Sequence, residues 1–377
     1  MLQLEFANRE ENMWGKILRL SFSYVFLIIL LAIIGTVTLY SAANGAWNPW
    51  ALKHLARFGL AFVLMVGMAL IDVRHYYRAA YAFYFVTLLL LLAVEVFGHI
   101  GMGAQRWINF GLFKLQPSEL MKIGLVLFMA RYFSAITMQG IHSVRGVIIP
   151  AIGALLPVGL IILEPDLGTA LMLLITAGMM FWAVGVEWWK FALVIASGGA
   201  ALPIILSFLH EYQKNRVLTF LNPERDPLGT GYHIIQSKIA FGSGGLWGKG
   251  FLHGTQTHLN FLPEKHTDFI FTMFSEEFGL IGSLSLLFIN ILLLAIGYLF
   301  AFRARNYFAK LVIIGLNTNY FLYVFINTAM VMGVLPVVGV PLPLISYGGT
   351  VMFSIMASFG IILCMSNSST KKLSFDD

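Results

Sequence analysis

Long blocks of apolar residues make up most of this chain, and short polar segments separate them. Windows of roughly 20 apolar residues, the length at which a helix crosses a bilayer, recur ten times. They fall at 20–41, 51–71, 77–98, 117–137, 144–163, 167–185, 188–208, 268–302, 309–333 and 349–366. The eighth window is long for one span, so we expect it to be tilted, kinked or extended beyond the bilayer. The pattern predicts an all-α polytopic membrane protein, with residues 1–377 forming a single transmembrane domain.

Lysine and arginine are distributed unevenly between the segments that join these windows. One set of segments carries Arg9, Lys16, Arg19, Arg74, Arg78, Arg145, Lys190, Arg303, Arg305, Lys310, Lys371 and Lys372, whereas the short segments of the other set carry chiefly Lys53, Arg106 and Lys114. The richer side is expected to face the cytoplasm. Both termini are therefore predicted to be cytoplasmic. The long connection 209–267, between the seventh and eighth helices, is predicted to lie on the outer side.

The composition agrees with a membrane environment and excludes several classes of protein. Hydrophobic residues make up 59% of the chain and charged residues only 11%, against roughly 25% charged in soluble domains, so membrane lipids are its expected surroundings. The net charge of +6 is spread singly over loops, and a nucleic acid is therefore not an expected partner. The one cysteine, Cys364, excludes a disulfide framework. The sequence also contains no H-E-x-x-H zinc motif, nucleophile elbow or Cys/His cluster, which argues against a covalent hydrolase.

The connection 209–267 contains two recognisable parts. Residues Tyr232–Phe241 group isoleucines against polar side chains, which is typical of a short amphipathic helix lying on the membrane surface. The glycine-rich loop that follows, GSGGLWGKG at 242–250, matches neither a P-loop nor a dinucleotide-binding fingerprint. A phosphate-binding role stays open for it, and a flexible connector is the favoured interpretation.

The most unusual stretch is His258–Gly279, which places charge at the entrance of an apolar helix. Its ionisable residues before the helix are His258, Glu264, Lys265, His266 and Asp268. The local pattern leaves two roles open for Asp268. It can cap the following helix, the commoner role of an aspartate at such a place. Alternatively, it can act as a general base at the edge of a low-dielectric region, with its pKa tuned by Lys265 and His266.

Two more carboxylates and an arginine lie inside predicted spans. Glu276 and Glu277 are expected to pair with a cation such as Lys122 or Arg57, or to face a partner helix. Arg57 itself would lie about two turns into the second span, where a cation usually marks an anion site or a pathway. Snorkelling to the outer headgroups is the alternative for Arg57.

Residues 103–122 (GAQRWINFGLFKLQPSELMK) contain two candidate pairs. Glu119 and Lys122 lie three residues apart on one helix face, and a structural ion pair and a substrate-binding role are both open for them. Arg106 stands beside Trp107 and so offers a cation and an aromatic ring, which suit a phosphate and a sugar. An interfacial anchor is the alternative for this second pair.

Two further segments are expected on the same side as Asp268. In EPDLGTA (164–170), Asp166 has the pattern of a helix N-cap, and the N–H groups of that helix end attract anions. The proline-rich segment, VLPVVGVPLPLISYGGT at 334–350, cannot form an ordinary helix. Non-helical backbone at membrane depth is tolerated where it is buried in protein or lines a cavity. We interpret it as a re-entrant segment that walls a site, with Ser346 and Tyr347 as polar contacts; an ordinary hydrophobic turn is the alternative.

Five motifs occur in one order along the chain: GAQRWINFG…QPSELMK, EPDLGTA, NPERDPLGTGYHIIQSKIAFGSGGLWGKG, HLNFLPEKHTDFIF…EEFGLIG and PLPLISYGGT. Together they resemble the SEDS (shape, elongation, division and sporulation) family of RodA, FtsW and SpoVE over nearly the whole chain, and most closely its RodA branch. The resemblance implies a peptidoglycan glycosyltransferase that polymerises lipid II on the outer face of the bacterial cytoplasmic (inner) membrane, for cell-wall elongation and rod-shape maintenance. It also implies a class B penicillin-binding protein and other elongation-complex proteins as partners.

The same resemblance implies roles for individual residues. Asp268 matches the family's essential aspartate, and Trp107 matches the tryptophan of its first outer motif. Glu119 and Lys122 match its intramembrane acid–base pair. Glu164 departs from the glutamine that is common in the family, which puts in doubt only the details of that loop.

Residues and resemblance together give a mechanistic hypothesis. Asp268 would take the proton of the acceptor's GlcNAc 4-hydroxyl as that oxygen attacks the donor's MurNAc anomeric carbon, and undecaprenyl pyrophosphate would leave. The predicted substrate-binding residues are Arg57, Arg106, Trp107, Glu119, Lys122, Lys265 and Ser346, with the cations among them stabilising the leaving group. The resemblance also implies that Mg²⁺ or Mn²⁺ helps to neutralise the pyrophosphate. The sequence contains no closed metal site, so the ligands of such an ion stay unknown. A flippase or transporter of lipid-linked precursors, and a non-catalytic scaffold for a synthase, are the alternative functions.

Overall fold

The computed structural model describes residues 21–101, 104–109, 111, 114–137, 140–141, 143–208, 218–220, 222, 230–255 and 265–367. Some sequence predictions concern other residues: the segment before residue 21, the residues after 367, most of the connection 209–267, and His258 and Glu264. These predictions lie outside the described residues.

Each of the ten apolar windows is a helix in the structure. These helices are α1 (Phe22–Ala42), α2 (Ala51–Leu70), α3 (Val73–Phe97), α4 (Pro117–Ser134), α5 (Val144–Leu163), α6 (Leu167–Val184), α7 (Trp188–Phe208), α9 (Ile270–Arg303), α10 (Tyr307–Val331) and α11 (Thr350–Asn367), with α8 (Thr230–Ser243) between α7 and α9. In the described ranges, the eight other than α4, α7 and α8 are long and apolar enough to cross a membrane. The predicted helical polytopic architecture is confirmed.

A small antiparallel sheet precedes α4, in a region for which the sequence pattern predicted no strands. It consists of β1 (His99–Gly101), β2 (Ala104–Asn109) and β3 (Lys114–Leu115), in the order β1-β2-β3. Arg106 and Trp107 therefore lie on a strand, and Trp107 is in register with His99 across the pair. The strands are too short for their side-chain alternation to be recognised between two apolar windows.

Helix α10 lies at the centre of the bundle and packs against α4, α6, α9 and α11. Nearly every side chain along it is buried, including the polar ones Asn317, Thr318, Asn319, Tyr320, Tyr323, Asn327 and Thr328. Because lipid offers no hydrogen-bonding partners, such groups pair within the protein. Asn319 accepts a hydrogen bond from Thr176 of α6 at 2.8 Å, and Asn317 donates to the carbonyl of Leu294 of α9 at 3.0 Å. The polar side chains of α10 thus join the helices around it.

Helix α9 is broken at Gly279, where φ is 65° and ψ is −163°. The glycine-rich loop pairs with the backbone on both sides of this break. The N–H of Lys249 donates to the carbonyl of Glu276 at 3.0 Å, and the N–H of Leu280 donates to the carbonyl of Gly245 at 2.9 Å. Of the three possibilities for this long window, a kink is therefore the one that the structure shows. The interpretation of the loop as a flexible connector is wrong, because its backbone is hydrogen-bonded to α9.

Helix α8 was predicted as Tyr232–Phe241 and extends slightly beyond both ends. Its Ser237 is buried, contacts the Thr272 hydroxyl of α9 at 2.8 Å and donates to the carbonyl of Val331 of α10 at 3.1 Å. Ile234 is buried against the bundle, whereas Ile239 is 46% exposed. The helix is confirmed and packs against α9 and α10; its position on the membrane surface stays a prediction.

The proline-rich segment runs from α10 into the bundle without forming a helix. Leu342, Leu344 and Ile345 are buried. A Cβ added to Gly35, near the middle of α1, would lie only 2.3 Å from the carbonyl oxygen of Leu344. The segment therefore reaches the middle of a spanning helix, which confirms the predicted re-entrant conformation.

Replacing Gly279 with alanine is expected to destabilise the protein substantially. Its positive φ disfavours any side chain, and a Cβ there would lie 2.3 Å from the N of Gly248 and 2.7 Å from the O of Leu246. Backbone atoms cannot move aside cheaply, so we expect a loss of at least about 2 kcal/mol. Thermal unfolding of the detergent-solubilised protein measures it, with Gly178→Ala as the control, because a Cβ at Gly178 meets open space. Equal melting temperatures for the two variants would contradict the tight packing at the break.

Candidate functional site

Asp268 lies two residues before α9 and is half-buried. The N-cap of α9 is Phe269, so the capping role that the sequence left open for Asp268 is wrong. Its Oδ2 lies 3.5 Å from the position that a Cβ on Gly339 would occupy, in the proline-rich segment. The absence of a side chain at residue 339 allows the backbone of that segment to approach the carboxylate closely.

Three consecutive backbone carbonyls that lead into Asp268 each accept a hydrogen bond. The carbonyl of His266 accepts from the N–H of Tyr347 at 2.8 Å, that of Thr267 from the Ser346 hydroxyl at 2.7 Å, and that of Asp268 from the Asn327 amide at 2.9 Å. We call these three hydrogen bonds the carbonyl clamp. They hold the backbone at residues 266–268 and use no atom of the Asp268 side chain.

Aromatic rings and a cation lie next to this segment. The rings of Trp50 and His266 are stacked, with centroids 4.5 Å apart and an angle of 9° between their planes. Tyr347 lies at 6.0 Å from His266, and the Arg57 guanidinium lies over the Tyr347 ring at 4.5 Å. All four side chains are half-buried. Within the described residues Arg57 forms no ion pair, so its charge is available to an anionic ligand.

The clusters expected on the same side as Asp268 do meet in the structure. A Cβ on Gly168, at the start of α6, would lie 2.8 Å from Val338 of the proline-rich segment. Asp166 caps α6, accepting from the N–H of Thr169 at 3.2 Å, as predicted, and Gln116 donates to its carboxylate at 3.4 Å. The turn before α6, the start of α4 and the proline-rich segment thus lie together beside Asp268.

The side chain of Arg106 joins strand β2 to the turn before α6 by hydrogen bonds. Its Nε donates to the carbonyl of Glu164 at 3.0 Å, and it also donates to the carbonyl of Pro165. Trp107 beside it is half-buried. Much of the Arg106 guanidinium is therefore engaged by backbone, and its predicted contact with substrate stays a prediction, as does that of Trp107.

Glu119 and Lys122 form the predicted ion pair, deep inside the bundle. Both are buried, with 2.7 Å between Lys122 Nζ and Glu119 Oε1. Tyr323 of α10 and Ser354 of α11 donate to the other carboxylate oxygen at 2.5 Å and 2.8 Å. Lys122 also contacts the Tyr323 hydroxyl. The pair joins three helices, which is the structural role that the sequence left open; a contact with substrate stays a prediction.

Glu276 and Glu277 have other partners than the cations proposed from the sequence. Glu276 pairs with Lys249 of the glycine-rich loop at 2.7 Å, and Glu277 accepts a hydrogen bond from Ser41 at the end of α1. Pairing with Lys122 or Arg57 is therefore wrong. The alternative for Glu277, a contact with a partner helix, is confirmed.

Lys265 is almost completely buried just before the clamped backbone. Burial lowers the pKa of its ammonium group. Ser346, another predicted substrate contact, is also buried; its hydroxyl donates to Thr267 and accepts from the N–H of Leu342 at 2.7 Å. Direct contacts of either residue with substrate stay predictions.

Glu164 is a buried carboxylic acid at the end of α5. It is 2% exposed, and in the described part of the chain neither of its oxygens has a hydrogen-bond partner. Burial, followed by the charges of Asp166 and Glu95, raises its pKa from 4.5 to about 8, while Arg106 acts in the opposite direction. The folded protein therefore holds this group in its neutral form near neutral pH.

Glutamine at position 164 is expected to stabilise the protein in alkaline solution. As the pH rises from about 4.5 to about 8, an unfolded chain loses this proton before the folded protein does, so folded stability falls across that window. The glutamine of Glu164→Gln has no proton to lose, so the variant avoids this loss in the free energy of unfolding, which is roughly 5 kcal/mol at most. Melting temperatures should agree at about pH 5 and favour the variant at about pH 9. Glu187→Gln changes an exposed carboxylate that is paired with Lys190, and its melting temperature should follow that of the wild type at both pH values. If Glu187→Gln gains as much melting temperature at about pH 9 as Glu164→Gln does, the pH dependence does not come from Glu164.

Sequence reasoning named two of the three donors of the carbonyl clamp, Ser346 and Tyr347, and missed the third. Asn327 was not singled out, although an asparagine inside an apolar window indicates a polar contact within the bundle. In the structure this asparagine is fully buried. Trp50, at the start of α2, was also missed, because its stacking partner His266 is far away in sequence.

Comparisons with known proteins agree in family and in fold. The family model for FtsW, RodA and SpoVE, described as "Cell cycle protein", matches residues 18–371. The peptidoglycan glycosyltransferase MrdB of Escherichia coli (strain K12) is 41% identical over 355 residues, 94% of this chain and 95% of that protein. MrdB of Helicobacter pylori (strain ATCC 700392 / 26695) is 36% identical over 349 residues, 90% of this chain and 87% of that protein.

Among solved structures, a chain of a peptidoglycan synthase complex has a TM-score of 0.80 at 30% identity, and the match covers 94% of this chain and 99% of that chain. The rod shape determining protein RodA of Thermus thermophilus has a TM-score of 0.71 at 27% identity, covering 94% and 98%.

Proposed function

Because the chain belongs to the FtsW/RodA/SpoVE family, we propose that it is a peptidoglycan glycosyltransferase that polymerises lipid II during cell-wall elongation. Relatives that match nearly their whole length to this chain carry the name peptidoglycan glycosyltransferase. The observation that carries the proposal is the half-buried Asp268 at the end of the clamped segment 266–268, next to which Arg57 lies over Tyr347 and Trp50 stacks on His266. Such a site offers a base, a cation and surfaces on which sugars stack.

In the proposed reaction Asp268 is the general base. It accepts the proton of the GlcNAc 4-hydroxyl of the acceptor as the oxygen of that group attacks the anomeric carbon of the donor's MurNAc. The bond from that carbon to the phosphate oxygen breaks, and undecaprenyl pyrophosphate leaves with the bonding electron pair. Proton removal in the transition state by a placed carboxylate contributes about 10²–10⁴-fold to such rates.

Among the four cations predicted from the sequence, Arg57 is the best placed to stabilise the leaving group. Lys122 is paired with Glu119, and Arg106 donates to two backbone carbonyls. The charge of Lys265 is disfavoured by burial. Arg57 is half-buried, and within the described chain its guanidinium has no carboxylate partner. A guanidinium binds pyrophosphate oxygens with two parallel hydrogen bonds, so it suits this group well.

A role for Mg²⁺ or Mn²⁺ stays a prediction that rests on the family. In the described part of the chain, no three His, Cys, Asp or Glu side chains lie close enough together to hold a metal ion. Mg²⁺ is usually bound by one or two carboxylates together with substrate phosphates and water, so a cluster of that size is not required.

The proposal includes a location and a partner. The lysine and arginine distribution favours the outer face of the cytoplasmic (inner) membrane for Asp268. A class B penicillin-binding protein, which crosslinks strands, is the proposed partner, in keeping with the similarity to a chain of a synthase complex.

The test is the activity of the purified protein, in detergent or in proteoliposomes, on fluorescent lipid II. Glycan polymer that appears without other enzymes supports the proposal. Transfer of intact lipid II across the proteoliposome membrane without polymer would favour a flippase instead. Absence of both, with polymer restored by a penicillin-binding protein whose own polymerase is inactive, would place the activity in the complex.

A further inference from the structure

We infer that Asn327 is a positioning residue for Asp268, a role that rests on the proposed function. Asn327 lies on α10, the most enclosed helix of the bundle, and is fully buried. Its side-chain nitrogen donates to the carbonyl of Asp268 at 2.9 Å and to the carbonyl of Val340 at 2.7 Å. Both amide hydrogens are therefore used, one on each side of the site.

The two acceptors belong to the two irregular segments that form the site. One carbonyl belongs to Asp268 itself, and the other follows Gly339, next to which the Asp268 carboxylate lies. Of the three donors in the carbonyl clamp, the other two, Ser346 and Tyr347, lie on the proline-rich segment. In the described part of the chain, Asn327 is the side chain of a bundle helix that hydrogen-bonds to both segments. Its amide therefore contributes to the distance between the carboxylate and the bound acceptor.

Asn317 offers a matched comparison on the same helix. It is also fully buried and also donates from its side-chain nitrogen to one backbone carbonyl, that of Leu294 at 3.0 Å. That carbonyl lies in the middle of α9, away from residues 266–268. Loss of Asn317 removes a similar hydrogen bond from the core and leaves the clamp intact.

The proposal predicts a selective loss of turnover. Asn327→Ala should lower kcat for lipid II by about 10- to 100-fold with little change in KM, because misplacement of a catalytic group by about 1 Å has such an effect. Asn327→Asp keeps the shape but lacks the two donors and should lose as much. Asn317→Ala should keep the wild-type kcat at a similar loss of melting temperature. Wild-type kcat in both Asn327 variants, or an equal loss in Asn317→Ala, would overturn the inference.

A second measurement does not depend on activity. Cys364 is the one cysteine of the chain, so Asp268→Cys in a Cys364→Ser background gives a single reporter thiol at the site. Adding Asn327→Ala should speed its labelling by a maleimide about fivefold, because the segment opens more often, and adding Asn317→Ala should not. Equal labelling rates would show that Asn327 does not order this segment. Faster labelling, combined with a wild-type chain that forms no polymer, would instead reject the proposed function and keep the structural part of the inference.

Discussion

Asp268→Asn is expected to lower lipid II polymerisation by about 10²–10⁴-fold while the protein keeps its wild-type melting temperature. Asparagine has nearly the same shape as aspartate but cannot take a proton from the acceptor hydroxyl. The carbonyl clamp holds this segment through backbone carbonyls only, so the substitution leaves those hydrogen bonds in place. Initial rates on lipid II and thermal unfolding of the same preparation measure the two effects.

Asp72→Asn is the matched control for this substitution. Asp72 caps α3 by accepting from the N–H of Arg74 at 2.8 Å, and asparagine serves that purpose nearly as well. The control should therefore polymerise lipid II like the wild type. If Asp268→Asn is also fully active, the general-base role is refuted. If it unfolds, the expectation that the substitution leaves this segment in place is refuted.

Lys122→Met is expected to destabilise the protein by about 3–5 kcal/mol, because it leaves the buried carboxyl group of Glu119 without its cation inside the bundle. The carboxylate would keep only Tyr323 and Ser354 as hydrogen-bond donors. Methionine fills most of the volume of the lysine side chain, so the lost charge rather than a cavity accounts for the effect. Thermal unfolding in detergent measures the loss.

The double variant Glu119→Gln with Lys122→Met decides between the two roles left open for this pair. Neutralising both partners should recover most of the stability, since a buried pair contributes little beyond mutual compensation. If the recovered protein polymerises lipid II, the pair is structural. If it is stable but inactive, the pair contacts the substrate. No recovery of stability would mean that the single loss does not arise from an uncompensated charge.

Features determined by local sequence could be predicted well. Apolar length placed ten helices, eight of which are long and apolar enough to cross a membrane in the described ranges. The Asp166 cap follows from the spacing between a short polar side chain and the start of a helix. A kink was one of three possibilities for the window that was too long for a single span, and α9 is broken there. The non-helical proline-rich segment followed from three prolines in a short stretch.

Features determined by packing could not be predicted in the same way. The partner of Glu276 is Lys249 of the glycine-rich loop, not a cation inside another span, because the break at Gly279 lets that loop approach. The capping role considered for Asp268 was wrong because α9 begins two residues after it. Sequence patterns do not locate the start of a helix this accurately. The donors of the carbonyl clamp come from residues that only the tertiary fold brings together.

The sequence separation of the contacts near Asp268 limits the order in which the site can be assembled. The glycine-rich loop reaches α9 across only 27 residues, from Lys249 to Glu276. The hydrogen bonds of Asn327 and Ser346 in the carbonyl clamp span 59 and 79 residues. Closing longer loops costs more entropy, so nearby contacts form sooner. In a chain that is still being synthesised, the contacts at the break in α9 can therefore form early, but residues 266–268 are not held until α10 and the proline-rich segment have entered the membrane.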